Sequence, residues 1–336
     1  MADRETTIAG FLAQAGWADA RRSKLAGDAS FRRYDRLVRA AESAVLMDAP
    51  PPVEDVRPFV QIAGLLAGLG LSAPRILAQD DAAGLLLLED LGDDTYNRVL
   101  AAGGDETRLY ELALDALVAL HRDFDIADGA DIPPYDDEFM LSEAALLCDW
   151  YMPAVLGHDT APALRAEYLA LWRDALAVAR RVPSTLVLRD YHIDNLVWLK
   201  ARPGVKACGL LDFQGARIGP LTYDLVSLLE DARRDVPAAL TGRLLARYLD
   251  AFPALDPAAF AAAYAIMGAQ RSAKILGIFV RLDRRDGKPH YLHHIPRVWR
   301  WLEGDLAHPA LAGLRHWFDR ALPKPTRIVP PAKTEQ

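Results

Sequence analysis

Hydrophobic and polar positions follow two different rhythms along this chain, and the change falls near residue 90. Before it, short apolar runs end at turn-forming residues. Ser23 to Leu25, Phe31 to Val38, Ala44 to Asp48, Arg75 to Ala78 and Leu85 to Leu88 read as strands, with Gly27-Asp28-Ala29-Ser30 turning the first into the second. Ile8 to Gly16 reads as a short helix, and Val53 to Leu69 has helical apolar spacing with Gly70 as a suitable stop. Glu89-Asp90-Leu91-Gly92-Asp93-Asp94 then breaks the pattern and reads as a hinge. Helical spacing dominates afterwards: Thr107 to Arg122, Glu138 to Tyr151, Pro162 to Arg181, Tyr223 to Arg233, Ala238 to Phe252, Pro257 to Val280, and His293 to Leu322 in pieces. The pattern predicts an α/β (α+β) protein. Residues 1–90 form one lobe, residues 91–322 a larger and mainly helical one, and residues 323–336 a loosely ordered, Pro-containing tail.

One segment of the helical part departs from that spacing. Leu196 to Leu199 and Val205 to Leu211 read as two short strands, and Ala201-Arg202-Pro203-Gly204 between them is turn chemistry. Antiparallel pairing about residue 203 puts Asn195 opposite Leu211, so Asp212 emerges beside Asn195, and Asp190 lies one loop away. Two carboxylates and an amide at this spacing suit phosphoryl transfer. A small hard cation takes one or two protein carboxylates plus phosphate and water oxygens, and a hydroxyl nucleophile needs a base that is not tied up on the metal. Asp190 fills the role of base, Asn195 and Asp212 that of Mg²⁺ ligands on a nucleotide triphosphate. The alternative is a polar loop before an ordinary hairpin, with Asp190 and Asp194 making only Asx turns.

The block Arg189-Asp190-Tyr191-His192-Ile193-Asp194-Asn195 with Leu211-Asp212-Phe213 resembles the aminoglycoside phosphotransferase and choline kinase family, part of the protein-kinase-like superfamily. That resemblance implies a bilobal protein-kinase-like fold, with a five-stranded antiparallel sheet plus helix in the small lobe, and ATP and Mg²⁺ as cofactors. Arg189 matches the Arg of the protein-kinase catalytic loop. Asp224 in Tyr223-Asp224-Leu225 matches an Asp that braces the catalytic loop, although a plain helix N-cap would use the same residue. Leu188 stands where a His is usual, and Gln214 where a Gly is usual; neither change removes a reacting group.

The nucleotide cradle departs further from the family. Gly27 to Tyr34 carries one glycine where a glycine-rich loop is expected, so backbone amides and the Ser30 hydroxyl are left to reach a phosphate. The third strand, Ala44 to Asp48, has no lysine, and Arg32 and Arg33 are the nearest substitutes, although both also suit ordinary strand decoration. Glu89 and Leu91 in the hinge are the further nucleotide candidates. With Asp48-Ala49-Pro50-Pro51, Leu211 to Ala216 and Gln270 to Phe279, these departures form a set similar to the bacterial anomeric kinases of N-acetylmuramate and N-acetylglucosamine in peptidoglycan recycling. The likeness runs from about residue 6 to residue 320. It implies transfer to the anomeric hydroxyl. A phosphotransferase acting on another hydroxyl, and a nucleotide-binding pseudokinase, share most of these features.

Composition fits such an enzyme. The 336 residues are 51% hydrophobic and 25% charged, enough for a large core, and the net charge of −7 argues against a nucleic-acid partner. Cys148 and Cys208 are too few and scattered for a disulfide framework or a zinc site. The charged start, Met1-Ala2-Asp3-Arg4-Glu5, and the short apolar run Ala258 to Ala269 suggest a cytoplasmic protein without membrane contact, and a monomer is the expected state. Acceptor candidates are Glu143, Trp150 and Tyr151 ahead of the catalytic loop, the aromatics equally suited to packing. Arg271 and Lys274 share one helix face, either contacting an acidic sugar's carboxylate or simply solvated. His290, His293 and His294 lack a paired ligand set and read as surface or core histidines.

Overall fold

The computed structural model describes residues 4–25 and 32–331. Contacts divide it into two compact units: Met1–Asp123 with Ile193–Gly215, and Phe124–His192 with Ala216–Gln336. The division follows packing, not chain order, because the hairpin expected after Asn195 joins the first unit. Ser30 lies outside the described residues.

The first unit is built on a sheet of β1 (Arg21–Lys24), β2 (Arg33–Arg39), β3 (Glu42–Asp48), β4 (Ile76–Asp80) and β5 (Leu85–Glu89). All neighbours are antiparallel, in the order β1-β2-β3-β5-β4. Leu37, Ala44, Leu46, Leu85 and Leu87 pack against Ile8, Phe11 and Leu12 of the Arg4–Gln14 helix and against Trp17. Strand β1 begins earlier than the apolar pattern indicated. All its residues are exposed, and the cross-strand pair Arg22–Asp35 at 2.6 Å supports it where burial does not. The short helix Tyr96–Ala101, capped by the Thr95 hydroxyl, was invisible to periodicity at that length.

Four more strands form two pairs: β6 (Ser184–Val187) with β9 (Arg217–Pro220), and β7 (Leu196–Trp198) with β8 (Cys208–Leu210). The β7–β8 register sets Leu196 opposite Leu210, and the Leu211 N–H continues it to the Asn195 carbonyl at 2.9 Å. This is the pairing about residue 203 that the turn required. Strand β8 starts at Cys208, later than expected, because Gly204–Ala207 winds into a 3₁₀ turn.

The second unit is organised by one helix, Pro257–Asp286. It runs six residues past the expected end at Val280, and Gly287 in the left-handed region (φ 64°) stops it. Gly277 lets the Asp137–Leu146 helix approach closely: a Cβ there would lie 2.3 Å from the Leu146 backbone. That neighbouring helix continues through a π-helical segment, Leu147–Tyr151. Of the described helices, Asp137–Leu156 alone is long and apolar enough to cross a bilayer, and half of its most apolar window is buried in the protein. The part of the tail that is described, as far as Pro331, makes contacts with the second unit. Arg327 pairs with Asp319 at 2.7 Å and Glu303 at 2.5 Å, and the Arg284 guanidinium donates to the Pro331 carbonyl at 2.6 Å.

Candidate active site

The first unit encloses a cavity of about 540 Å³, walled by Val45, Phe59, Leu88 and Leu211 and edged by Arg32, Tyr34, Arg36, Glu89, Leu91, Asn195 and Asp212. Strand alternation explains the cations. Successive side chains of β2 point to opposite faces, so Tyr34 and Arg36 share the cavity face, while Arg33 is exposed and does not line it. Of the two residues proposed to stand in for the lysine, only Arg32 reaches the cavity. Arg36 does too, and period-two counting from Tyr34 would have found it. Arg32 is paired with Glu54 at 2.9 Å, and Arg36 with Asp90 and Asp93, each at 2.8 Å. Val45 occupies the cavity wall from β3, so the third strand is apolar there in space as well as in sequence. Burial would raise the Glu89 carboxyl, but Arg75 and Arg202 at 3.3 and 2.8 Å hold it below its ordinary value.

Asp212 adopts a left-handed backbone (φ 57°), which Asp tolerates better than most residues, and its side chain is exposed. The Gln214 amide donates to one carboxylate oxygen at 2.6 Å and the Asn195 amide to the other at 3.4 Å. Gln214, in place of the usual glycine, therefore orients the carboxylate. Phe213 anchors the turn on Phe59, ring centroids 4.8 Å apart. The Asn97 amide ties down Asp194 at 2.7 Å. Among the described residues no group of three or more His, Cys, Asp or Glu could hold a metal, the histidines 290, 293 and 294 included. The Asn195–Asp212 pair nonetheless fits Mg²⁺, which takes few protein ligands and completes its shell with phosphate and water oxygens. Turning the Asn195 amide over would present its oxygen to a cation beside Asp212.

The second unit holds Asp190, and its backbone is fixed by an unusual arrangement. Arg189 has φ 72°, an outlier for so bulky a residue. The buried Asp224 carboxylate accepts the Leu188 and Arg189 N–H groups at 2.6 and 2.8 Å, and the Ser227 hydroxyl donates to the Arg189 carbonyl at 3.2 Å. Thr222 occupies the cap position of the Tyr223–Leu229 helix, so Asp224 is a brace and not a simple cap. Burial pushes the Asp224 carboxyl up to about 7 against the pull of those two N–H groups. His192 is kept neutral by burial and by Arg233 and Arg271. Its backbone N–H donates to the Asp190 carbonyl at 3.1 Å.

Glu143 is the hub of the surrounding charges. It receives the Arg189 guanidinium, the Tyr135 hydroxyl, the Lys274 ammonium at 3.0 Å and the Gln270 amide at 3.5 Å. A carboxylate has about four lone-pair sites, so Glu143 has no free acceptor for a sugar hydroxyl. Burial would raise its carboxyl, but Lys274, Arg189 and the Tyr135 hydroxyl bring it down to about 2. Lys274 also meets the Tyr223 hydroxyl at 3.1 Å. The helix face of Arg271 and Lys274 is not a solvated one: the two residues are 5% and 7% exposed. Tyr151 lies apart from Glu143. Its hydroxyl accepts from Trp299 and donates to the Ile328 carbonyl, both at 2.8 Å, so it clamps the tail; Trp150 is half-buried on the π-helical segment. Arg217, which nothing in the sequence pattern marked, sits with its guanidinium 3.5 Å from the Phe139 ring centroid.

Comparison with known proteins finds relatives over most of the chain. The model of the "Phosphotransferase enzyme family" matches residues 21–261. An N-acetylmuramate/N-acetylglucosamine kinase of Caulobacter vibrioides is 41% identical over 97% of this chain and 98% of its own length. One from Pseudomonas aeruginosa is 44% identical over 90% of each. Among solved structures, the ternary complex of an aminoglycoside phosphotransferase with streptomycin and ATP shares the fold, with a TM-score of 0.57 at 16% identity over 92% of this chain and 98% of that one.

Glu143→Gln should destabilise the protein at neutral pH by about 3–5 kcal/mol, because it leaves buried cations without their anion. The Glu143 carboxyl is depressed in the folded state, so its stabilisation is complete above the ordinary carboxylate range and lost as pH falls toward about 2. The gap between wild type and variant in urea denaturation should therefore narrow on acidification. A gap that stays constant from pH 7 to pH 3 would contradict the ion-pair account.

Proposed function

This chain belongs to the phosphotransferase enzyme family, and from that premise we propose that it is an ATP- and Mg²⁺-dependent kinase of amino sugars, phosphorylating the anomeric hydroxyl of N-acetylmuramate and N-acetylglucosamine. The observation that carries this reading is the braced Asp190 loop, followed five residues later by the Asn195 that neighbours Asp212. The substrates are taken from relatives at 41% and 44% identity. The product would be a sugar 1-phosphate, formed in the cytoplasm by a monomer during cell-wall recycling.

In this mechanism Asp190 accepts the proton of the attacking hydroxyl, and Asp224 holds its backbone in place through Leu188 and Arg189. Arg189 itself is committed to Glu143, so its part is to support the loop. Asn195 and Asp212 would hold Mg²⁺, which when bound would neutralise charge on the nucleotide phosphates. Arg32 and Arg36 stand at the cavity edge as the cations that answer the phosphates in place of the missing lysine, and Glu89 and Leu91 line the part that takes the rest of the nucleotide. Each arginine would have to share its charge with the carboxylate that already holds it.

Asp190→Asn should keep the fold and nucleotide affinity while turnover falls by about two to four orders of magnitude, the usual worth of a positioned base. Steady-state kinetics near wild type would remove Asp190 from the mechanism. Asp212→Ala should cost more than Asn195→Ala, since a carboxylate brings net charge to the cation and an amide only a dipole. Excess Mg²⁺ should rescue only the Asn195 variant, and the reverse ranking would exchange the ligand roles.

Methyl 1-glycosides of both sugars should be inert, because methylation removes the nucleophile. The phosphorylated product should be labile to mild acid, losing phosphate through an oxocarbenium-like species. Phosphorylation of the methyl glycoside, or an acid-stable product, would move the reaction to another hydroxyl. Binding of ATP without transfer to any acceptor would favour the pseudokinase reading that the missing lysine supports.

A further inference from the structure

Arg189, Lys274 and Arg217 of the second unit all lie within electrostatic reach of Glu143. The first two are consumed by Glu143, whose single charge they share. Arg217 is different. Among the described residues it has no carboxylate within ion-pair distance, and its recorded hydrogen bond is one N–H donated to the Pro134 carbonyl at 2.9 Å. A guanidinium has five N–H donors, and at this partly exposed residue the others are left to solvent or to an incoming anion. It also packs on an aromatic ring, with its centre 3.5 Å from the Phe139 ring centroid. The Arg189 guanidinium lies over the same ring at 5.2 Å, one residue before Asp190.

Resting on the kinase reading above, we propose that Arg217 is the specificity-determining contact for the carboxylate of an acidic amino sugar. A planar guanidinium matches a carboxylate with two parallel N–H···O bonds. Stacking on Phe139 fixes the side chain in advance, so less rotamer freedom is lost on binding. Burial and the neighbouring Arg189 charge both disfavour the Arg217 cation in the free protein, with Glu143, Tyr135 and Asp136 opposing them. An incoming anion would relieve that repulsion. N-acetylglucosamine has no carboxylate and draws nothing from this contact. N-acetylmuramate carries one on its lactyl group. The sequence had pointed instead to Arg271 and Lys274, but Lys274 already has its anion and Arg271 is buried beside the charges of Asp224 and Glu230.

The test compares three acceptors on the full chain with Mg-ATP: N-acetylmuramate, its methyl ester and N-acetylglucosamine. The wild type should show a lower KM for the acid than for the ester. Arg217→Gln should raise the KM for N-acetylmuramate, relative to that for N-acetylglucosamine, by about tenfold or more, the worth of a charge-assisted hydrogen bond. It should also abolish the preference for acid over ester, and Arg217→Lys should restore part of it. An equal rise for all three acceptors would make Arg217 a general structural residue, and an unchanged ratio would remove it from recognition. Should Arg217→Gln fail to fold, a wild type that treats acid and ester alike overturns the proposal by itself. Phosphorylation of none of the three would instead overturn the kinase reading.

Discussion

The Asp224 carboxylate, buried and bonded to two consecutive backbone N–H groups, is the constraint on which the catalytic loop depends. A bulky residue in the left-handed region costs about 1–3 kcal/mol, and Arg189 is held there. Hydrogen bonds to a charged group contribute about 1.5–3 kcal/mol each. When Asp224 is ionised, two of them, with the Ser227 hydroxyl on the Arg189 carbonyl, outweigh the strain. The strain is local to the residue before Asp190, so the brace determines where that carboxylate stands. The upward pressure on the Asp224 carboxyl from burial is the cost of placing the brace in the interior.

Glu143 plays the complementary part for side chains. Taking a carboxylate, a guanidinium and an ammonium out of water costs several kcal/mol per ion, recovered only when each is matched. Here Arg189, Lys274, Tyr135 and Gln270 all converge on one carboxylate. The group therefore fixes the loop, the Asp137–Leu146 helix and the Pro257–Asp286 helix against one another. This explains why a glutamate that looks like an acceptor contact in sequence is better understood as a hub. Its saturation leaves Arg217, unlike Arg189 and Lys274, without a carboxylate at ion-pair distance among the described residues.

In the first unit the governing device is strand alternation. β2 sends Asp35 and Leu37 to the face of the Arg4–Gln14 helix, and Tyr34 and Arg36 to the cavity. The departures from the family pattern become coherent in this light. An apolar Val45 stands on the third strand, arginines are supplied by the second, and Gln214 orients Asp212 where a glycine is usual.

Apart from the antiparallel small sheet, which the family resemblance implied, the sequence by itself determined most element types and the juxtaposition of Asn195 with Asp212. These depend on local turn chemistry and on periods of two and 3.6, which are written in consecutive residues. It also marked Asp190 by its place just before that hairpin, while Asp224 was marked through the family resemblance of Tyr223-Asp224-Leu225. Tertiary structure alone decided which charges remained available. Arg33 faces away while Arg36 faces in, Lys274 and Arg189 are spent on Glu143, Tyr151 clamps the tail, and the tail itself is pinned by Arg327. The physical reason is that a charged side chain in sequence carries no record of its partner. Pairing is set by residues tens to more than a hundred positions away, and only packing brings them within reach.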